Sequence, residues 1–322
     1  MKKNIGVIMG GYSSEFDISI KSGSQVLANL NPEKYIGYGL IISLEKWVYI
    51  SDSGQEHEID RSDFSITVKG EHICFDVVFN AIHGVPGESG EFIAYLELMN
   101  IKHTSAPFYQ MALTCNKRDC LSVVSKQQVP IAQSIYLNLG DNLDLDKIEQ
   151  DLNYPFFVKP NRSGSSYGIS KVHNREELII GIENAFKEDK EILLEAFLDG
   201  TEVSIGVIST LDGPLALPIT EIVSENDFFD YEAKYLGKSQ EITPARINSQ
   251  LTEELSRIAM NLYRTLGMKG FSRSEFIIVD DIPHFIEMNT VPGLTAESIL
   301  PQQARAANID LEELFTLAIE QA

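Results

Sequence analysis

The 322-residue sequence predicts a mixed α/β chain whose N-terminal part is an open, mostly parallel sheet. Three observations predict it. Strand-like apolar runs alternate with amphipathic helical stretches through residues 5–99. A composition of 43% hydrophobic and 23% charged residues is that of a globular chain long enough for roughly two or three domains. Near the C-terminus, strand-like residues 270–279 and 284–289 carry Arg273 with Glu275 and Glu287 with Asn289, each pair spaced by two. A period of two puts both members of a pair on one sheet face.

In order, residues 5–9 read as a buried parallel strand, 10–15 as a tight turn, and 18–30 as a helix with Ile18, Val26, Leu27 and Leu30 on its apolar side. A second strand follows at 38–43. Residues 47–50 and 64–68 read as an antiparallel excursion with polar turns between. Residues 73–82 form another apolar strand ending at His83-Gly84, and 92–99 return as a helix. Loops at the carboxyl ends of such strands are the expected ligand crevice. Residues 110–135 have a helical texture, with 117–126 charged at its start and Pro130 ending it. Strands at 156–160, 169–172 and 192–197 and a helix at 176–187 make a small mixed unit. Strands at 202–208 and 215–222 precede a long polar loop, 224–244. Helix 251–266 carries Leu251, Leu255, Ile258, Leu262 and Leu266, and Gly267 stops it. Residues 280–283 link the two late strands as a hairpin, and 290–295 turn toward a helix. The last helix starts at Asp310 with Glu313 as capping-box partner. No internal repeat and no low-complexity tract is present.

The net charge of −21 argues against nucleic acid and membrane surfaces as partners, since both are polyanions. A small anionic ligand feels local lysines more than distant carboxylates. Cys74, Cys115 and Cys120 are odd in number and lack CxxC or metal spacing, which fits a reducing compartment. The run 5–9 is too short for a signal peptide, and no stretch reaches transmembrane length, so the expected location is cytoplasmic.

Several segments offer chemistry. Glu275, Glu287 and Asn289 supply only oxygen ligands, which suits a hard cation such as Mg²⁺, and Arg273 beside them suits anionic oxygens. The turn 10–15 opens a helix, but GxGxxG is absent. Its Glu15 either holds a cationic group in the crevice or complements the helix dipole. Residues 159–171, with Gly, Ser and a Lys at each end, form either an anion nest or a plain hairpin loop. Residues 195–202 are a hinge with Glu195 and Glu202 facing a crevice, or a solvated acidic loop. The rings in 227–235 are a cover or core fillers. His83 is more often structural than catalytic in such a setting. No Ser-His-Asp, Cys-His or zinc arrangement can be read.

Taken together, Gly10-Gly11-Tyr12-Ser13-Ser14-Glu15, Asn80-Ala81-Ile82-His83-Gly84, Asn116-Lys117, Val158-Lys159-Pro160, Gly164-Ser165-Ser166, Asp230-Tyr231-Glu232-Ala233-Lys234-Tyr235 and Glu287-Met288-Asn289-Thr290-Val291-Pro292-Gly293-Leu294-Thr295 resemble the D-alanine–D-alanine ligases of the ATP-grasp superfamily. The resemblance covers essentially the whole chain, and its last two strings are the most specific. It implies three domains: an N-terminal Rossmann-like domain, 1–112; a central ATP-grasp subdomain with a phosphate lid, 113–200; and a C-terminal one with the metal site, 201–322.

By the same resemblance, ATP lies between the central and C-terminal domains. Lys117 and Lys159 hold phosphates beneath the 163–168 loop with its Ser163, Gly164 and Ser166. Glu195, the backbone of Ala196–Leu198 and Glu202 take adenine and ribose. Glu275, Glu287 and Asn289 bind two Mg²⁺, with Mn²⁺ as the alternative ion. Glu15 holds the first D-alanine ammonium in a set with Ser165 and Tyr235. His83, Lys234 and Ser298 contact substrate, Ser298 through the second carboxylate. Arg273 and the Gly293 amide stabilise the oxyanion. The implied partners are ATP and D-alanine, and the implied assembly is a homodimer. Against the family pattern, Glu275 replaces a usual Asp, Ala196 a common Lys and Glu297 a frequent His, while Tyr235 keeps the hydroxyl of the dipeptide-forming type. The rival readings are an ATP-grasp ligase for another amino acid or carboxylate, a nucleotide-binding protein without turnover, and a nicotinamide-dependent oxidoreductase.

Overall fold

A computed structural model of the chain describes residues 2–51, 53–164, 167–224 and 239–322. It begins with strand β1 (Lys3–Gly10), helix α1 (Phe16–Ala28) and strand β2 (Tyr35–Ile42). Four short strands follow: β3 (Trp47–Ile50), β4 (Glu56–Asp60), β5 (Ser65–Val68) and β6 (Glu71–Ile73). Strand β7 (Val77–Asn80) then leads to helices α2 (Glu91–Leu98), α3 (Phe108–Cys115) and α4 (Lys117–Ser125). The sheet order is β6-β5-β4-β3-β2-β1-β7.

Only β2, β1 and β7 run parallel in this sheet; the other pairings are antiparallel. The expectation of a mostly parallel sheet is corrected accordingly. The connections across residues 43–71 are too short for a parallel crossover, so the chain must meander. The apolar run 73–82 is broken at residues 74–76, where Asp76 hydrogen-bonds the backbone of Asn4. The helical texture read over residues 110–135 is two helices that end at Ser125, broken at extended Asn116, whose side chain caps α4 by accepting from Asp119 N.

The central part holds β8 (Ser134–Asn138), α5 (Leu145–Leu152), β9 (Phe156–Pro160), β10 (Ser170–Val172), α6 (Arg175–Glu188) and β11 (Glu191–Ala196), with sheet order β10-β9-β11-β8. Alternation sorts its two faces. Phe156, Val158, Ile192 and Leu194 form a core with Leu178, Ile182 and Ala185 of α6 and with Ile148 and Leu152 of α5. Lys159, Leu193 and Glu195 lie on the opposite face.

The third sheet contains β12 (Thr201–Thr210), β13 (Gly213–Ala216), β14 (Thr220–Ser224), β15 (Ser239–Ile242), β16 (Phe271–Val279) and β17 (Ile282–Asn289). Its order is β15-β14-β12-β16-β17, with β13 also on β12. Residues 215–222, expected as one strand, divide around Pro218, which cannot donate to a ladder. Helix α7 (Ser249–Thr265) buries Leu251, Leu255, Ile258 and Leu262, the spacing read from the sequence. The chain closes with α8 (Ile299–Ala306) and α9 (Leu311–Glu320), the latter capped by Asp310 accepting from Glu313 N.

Beneath the β16–β17 hairpin, Phe276 and Phe285 are fully buried and meet edge-on, 5.6 Å between ring centres. Burying each ring stabilises by roughly 2–3 kcal/mol. These rings join a core continuous with Ile8, Leu40 and Val78 of the first sheet. The hairpin is thus fixed to the N-terminal part, whereas the central sheet packs largely on its own helices.

Candidate functional site

Three sheets bring their loops to one cavity of 360 Å³. The first contributes Glu15, His83 and Glu88, the loop after β9 contributes Ser163 and Gly164, and the third contributes Arg273, Glu287 and Asn289. Lys117 at the start of α4 and Gly293, Glu297 and Ser298 before α8 extend the wall.

The hairpin sets the central geometry. Its register places Arg273 opposite Asn289 and Glu275 opposite Glu287. The pairs read as spaced by two along each strand are thus cross-strand pairs as well. The turn is tighter than expected: Asp280 and Asp281 alone form it, both at positive φ (49° and 62°), and Ile282-Pro283 already belong to β17. Two residues of positive φ are what a twisted hairpin of this length requires.

Glu275 is buried, and its Oε1 lies 2.8 Å from Arg273 Nη1 but out of line for a hydrogen bond, so this oxygen has none. Arg273 Nη1 donates instead to Ser204 Oγ at 3.2 Å. Lys117 Nζ stands 3.1 Å from Glu287 Oε2 and donates to Ser163 O at 3.0 Å. Burial opposes the lysine's charge, but Glu287, helped by Cys115 and Glu88, leaves the Lys117 pKa raised. Asn289 Oδ1 accepts from Val291 N, 2.8 Å, which fixes the turn toward Gly293. Among the described residues no three His, Cys, Asp or Glu side chains converge as a ready-made metal cage. Two opposed carboxylates and an amide oxygen, one oxygen of them buried without a hydrogen bond, fit a cation that draws its remaining ligands from water and phosphate.

Glu15 is the N-cap of α1 but makes no capping bond. Its carboxylate lies close against two glycine-bearing loops. A Cβ on Gly164 would meet Glu15 Oε2 at 2.9 Å, and one on Gly84 at 3.0 Å. Ser19 steadies the turn by accepting from Gly10 N (2.8 Å) and donating to Ala81 O (2.7 Å). Gly293 and Ser298 are similarly close: a Cβ on Gly293 would sit 2.7 Å from Ser298 Oγ.

His83 is buried, with Nδ1 2.9 Å from Val291 O and Nε2 2.9 Å from Ser22 Oγ. A carbonyl only accepts, so Nδ1 carries the proton and Nε2 accepts from the serine. Burial lowers the His83 pKa, against the pull of Glu15. The ring is neutral and braces the turn at residue 291.

The cavity does not reach every expected residue. Lys159, Glu195, Ala196, Leu198, Glu202 and Glu275 are absent from its lining. Lys159 and Glu195 are both buried and form an ion pair with each other, and the Ala196 N–H is spent on Gln133 O at 2.9 Å. Ser165, Ser166, Lys234 and Tyr235 lie outside the described residues.

Other lining residues escaped the sequence reading. Glu88 accepts from Gly84 N at 3.0 Å; burial, then repulsion from Glu15 and, more weakly, Glu287, pushes its carboxyl up to about 7. Its place in the run 83–90 was the only signal. Glu241 of β15 receives a 2.6 Å hydrogen bond from Gln302 Nε2, and burial raises its pKa. No spacing in the sequence links residues 241 and 302. Cys115 and Cys120 have thiols pushed up to about 12 by burial, which rules both out as nucleophiles at neutral pH. No helix among the described residues is long and apolar enough to cross a membrane.

Family models place this geometry among known proteins. The model described as D-ala D-ala ligase N-terminus matches residues 4–106, and the one described as D-ala D-ala ligase C-terminus matches 123–320. A D-alanine–D-alanine ligase of Flavobacterium johnsoniae is 58% identical over 318 residues, covering 99% of this chain and 98% of the relative. One from Christiangramia forsetii is 49% identical, covering 100% and 99%. Among solved structures, the VanG D-Ala:D-Ser ligase from Enterococcus faecalis has a TM-score of 0.88 at 29% identity, covering 100% and 99%. The Bacillus anthracis D-alanine–D-alanine ligase complexed with ATP has a TM-score of 0.79 at 26% identity, covering 99% and 97%. With both halves matched and close relatives aligned end to end, this chain belongs to the D-alanine–D-alanine ligase family.

Proposed function

We propose that this protein joins two D-alanines at the expense of ATP, through an acyl phosphate, and so supplies the dipeptide of peptidoglycan precursors. One observation carries the reading: Lys117 spans from the Ser163 carbonyl to Glu287, tying the anion-binding loop to the opposed carboxylates of the hairpin. That arrangement would let a terminal phosphate and a metal ion meet at one end of a cavity whose wall also holds Glu15 and Arg273.

Each residue then has a task. Glu15 offers its carboxylate to the ammonium of the first D-alanine. Lys117 and Lys159 neutralise phosphate oxygens, Lys159 by turning from Glu195 when nucleotide enters. Glu195, Ala196, Leu198 and Glu202 stand along the path for base and ribose. Glu275, Glu287 and Asn289 would hold Mg²⁺, which screens the charge on transferring phosphoryl oxygens. The first carboxylate attacks the terminal phosphorus, forming the acyl–O–P bond as the bond to ADP breaks. The second amine attacks the acyl carbon, and phosphate leaves. Arg273 and the Gly293 N–H meet the oxyanion of that step. Ser298, at the start of α8, receives the second carboxylate. No covalent enzyme nucleophile is needed, which agrees with the raised thiol pKa values.

The test is phosphate release by purified protein with ATP and Mg²⁺. Release that requires D-alanine and is absent with L-alanine is expected. Release without any amino acid, or with neither enantiomer, removes the reading.

A further inference from the structure

One buried residue ties the central sheet to the start of α4. Asn161 follows β9, is fully buried, and has all its polar groups in use. Toward the central sheet, its N–H donates to Glu191 O at 2.9 Å and its Nδ2 donates to Glu191 Oε2 at 2.8 Å. Toward α4, its carbonyl accepts from Lys117 N at 3.2 Å and its Oδ1 accepts from Arg118 N at 3.0 Å. A helix leaves its first N–H groups without partners inside it. In α4, Asn116 takes those of Asp119 and Cys120, and Asn161 takes those of Lys117 and Arg118. Half of this helix start is therefore closed by a residue from another element. The Arg118 guanidinium adds bonds to the Leu137 and Ile192 carbonyls, and Arg162 Nη2 donates to Glu191 Oε2 at 2.8 Å. Leu121 and Val124 of α4 lie in the large core of the first sheet, whereas Phe156 and Val158 of β9 lie in the core of the central sheet. Asn161 thus stands where the two cores meet, between Lys117 and the Ser163–Gly164 loop.

We infer that Asn161 is a positioning residue for the terminal phosphates: it holds the first turn of α4, and with it the Lys117 backbone, at a fixed distance from the Ser163–Gly164 loop, so that ammonium and loop close on one phosphate together. A lysine carries its charge on a flexible stem, and its ammonium keeps one place only where its backbone is held. Lys117 Nζ donates to Ser163 O at 3.0 Å across that fixed base. Asn161 itself is not part of the cavity wall and acts through Lys117. An amide suits the position because it accepts from Arg118 N and donates to the Glu191 carboxylate at once, whereas an ionised carboxyl only accepts. This inference rests on the reading of Lys117 as a phosphate ligand.

The test measures binding of ATP and of AMP to the full chain by calorimetry, with Mg²⁺ and without amino acid. AMP shares the base and ribose but lacks the terminal phosphates. The ratio of the AMP to the ATP dissociation constant is expected to fall roughly tenfold in Asn161→Asp, which sets two carboxylates face to face, and roughly fivefold in Asn161→Ala. Glu191→Gln alone should stay near wild type, because its amide oxygen still accepts from Asn161. Combined with Asn161→Asp it restores one donor and one acceptor with the roles exchanged, and the ratio should return to within about threefold of wild type. A side chain that only supports the fold would weaken both nucleotides alike or lower the melting temperature alone. An unchanged ratio in Asn161→Ala, an equal loss for ATP and AMP, or a double variant no better than Asn161→Asp overturns the inference and leaves D-alanine-dependent phosphate release by the wild type intact. Asn161→Ala buries no charge, so it answers where Asn161→Asp does not fold. A wild type that binds ATP no more tightly than AMP overturns instead the reading of Lys117 on which the inference rests, and the inference with it.

Discussion

At the scale of residues, the buried pair Lys159–Glu195 shows what the cleft stores. Both side chains lie on the open face of the central sheet, next to the Phe157 ring 5.1 Å from Lys159 Nζ. Removing one partner leaves the other charge buried, a loss of about 3–5 kcal/mol for such pairs. Lys159→Ala is therefore expected to lower stability by about that amount, and Lys159→Ala with Glu195→Ala together by less, as read by denaturant unfolding. Losses that add fully would show the two charges to be independent. Glu287→Gln tests a different contact. It keeps shape but removes the charge facing Lys117 and half of the carboxylate pair. Turnover should fall at least about a hundredfold with little change in melting temperature, and near-normal phosphate release would remove Glu287 from the metal site. The pairing of these residues was legible because a strand's period of two reports its face. Glu88 was not, since the acids that raise its pKa, Glu15 and Glu287, stand far from it in sequence. Its sign is definite: a carboxyl raised in the fold costs stability as pH rises from the ordinary value of 4.5 through about 7. Glu88→Gln should flatten that decline in a melting-temperature profile, and an unaltered slope would show that another group causes it.

Among the elements, the β16–β17 hairpin decides where Glu275, Glu287 and Asn289 stand. Its two-residue turn asks Asp280 and Asp281 for a left-handed backbone that side chains resist. Asp281→Gly should raise stability by about 0.5–1 kcal/mol while leaving phosphate release intact, because the register from Arg273–Asn289 to Val279–Ile282 is unaffected. A destabilised variant would mean that the Asp281 side chain, exposed in this fold, supports the turn. The strands themselves were readable from their apolar runs. The turn's length was not, because Ile282-Pro283 looks like a linker until β16 pairs with it. Neither was the irregularity after Glu275, where Ile286 is the extra residue between Phe285 and Glu287 and re-aims that carboxylate. The short strands β4, β6 and β8 carry too few apolar residues in register to announce themselves.

For the molecule as a whole, the contrast between the largest apolar core and that of the central sheet matters most. Residues of the first sheet, α4, α7 and the hairpin share one apolar core, while the central sheet keeps its own with α5 and α6. Only Leu193 on the cleft face of the central sheet belongs to the larger core. The central unit thus meets the rest chiefly through polar contacts, among them Lys117 to Ser163 and Arg118 Nη1 to Asn138 Oδ1 at 2.9 Å. A unit held this way opens at lower free energy than the larger core. Native-state hydrogen exchange should find amides of β9 and β11 less protected than those of β1 and β16. Nucleotide that bridges the cleft raises the free energy of that opening by about 2.7 kcal/mol at a hundredfold excess over Kd. The added protection should concentrate in residues 156–196, with β1 nearly unchanged. Equal protection in both parts before nucleotide, or a uniform gain after it, would mean that the two cores open as one and that the central sheet does not act as the moving wall of the cleft.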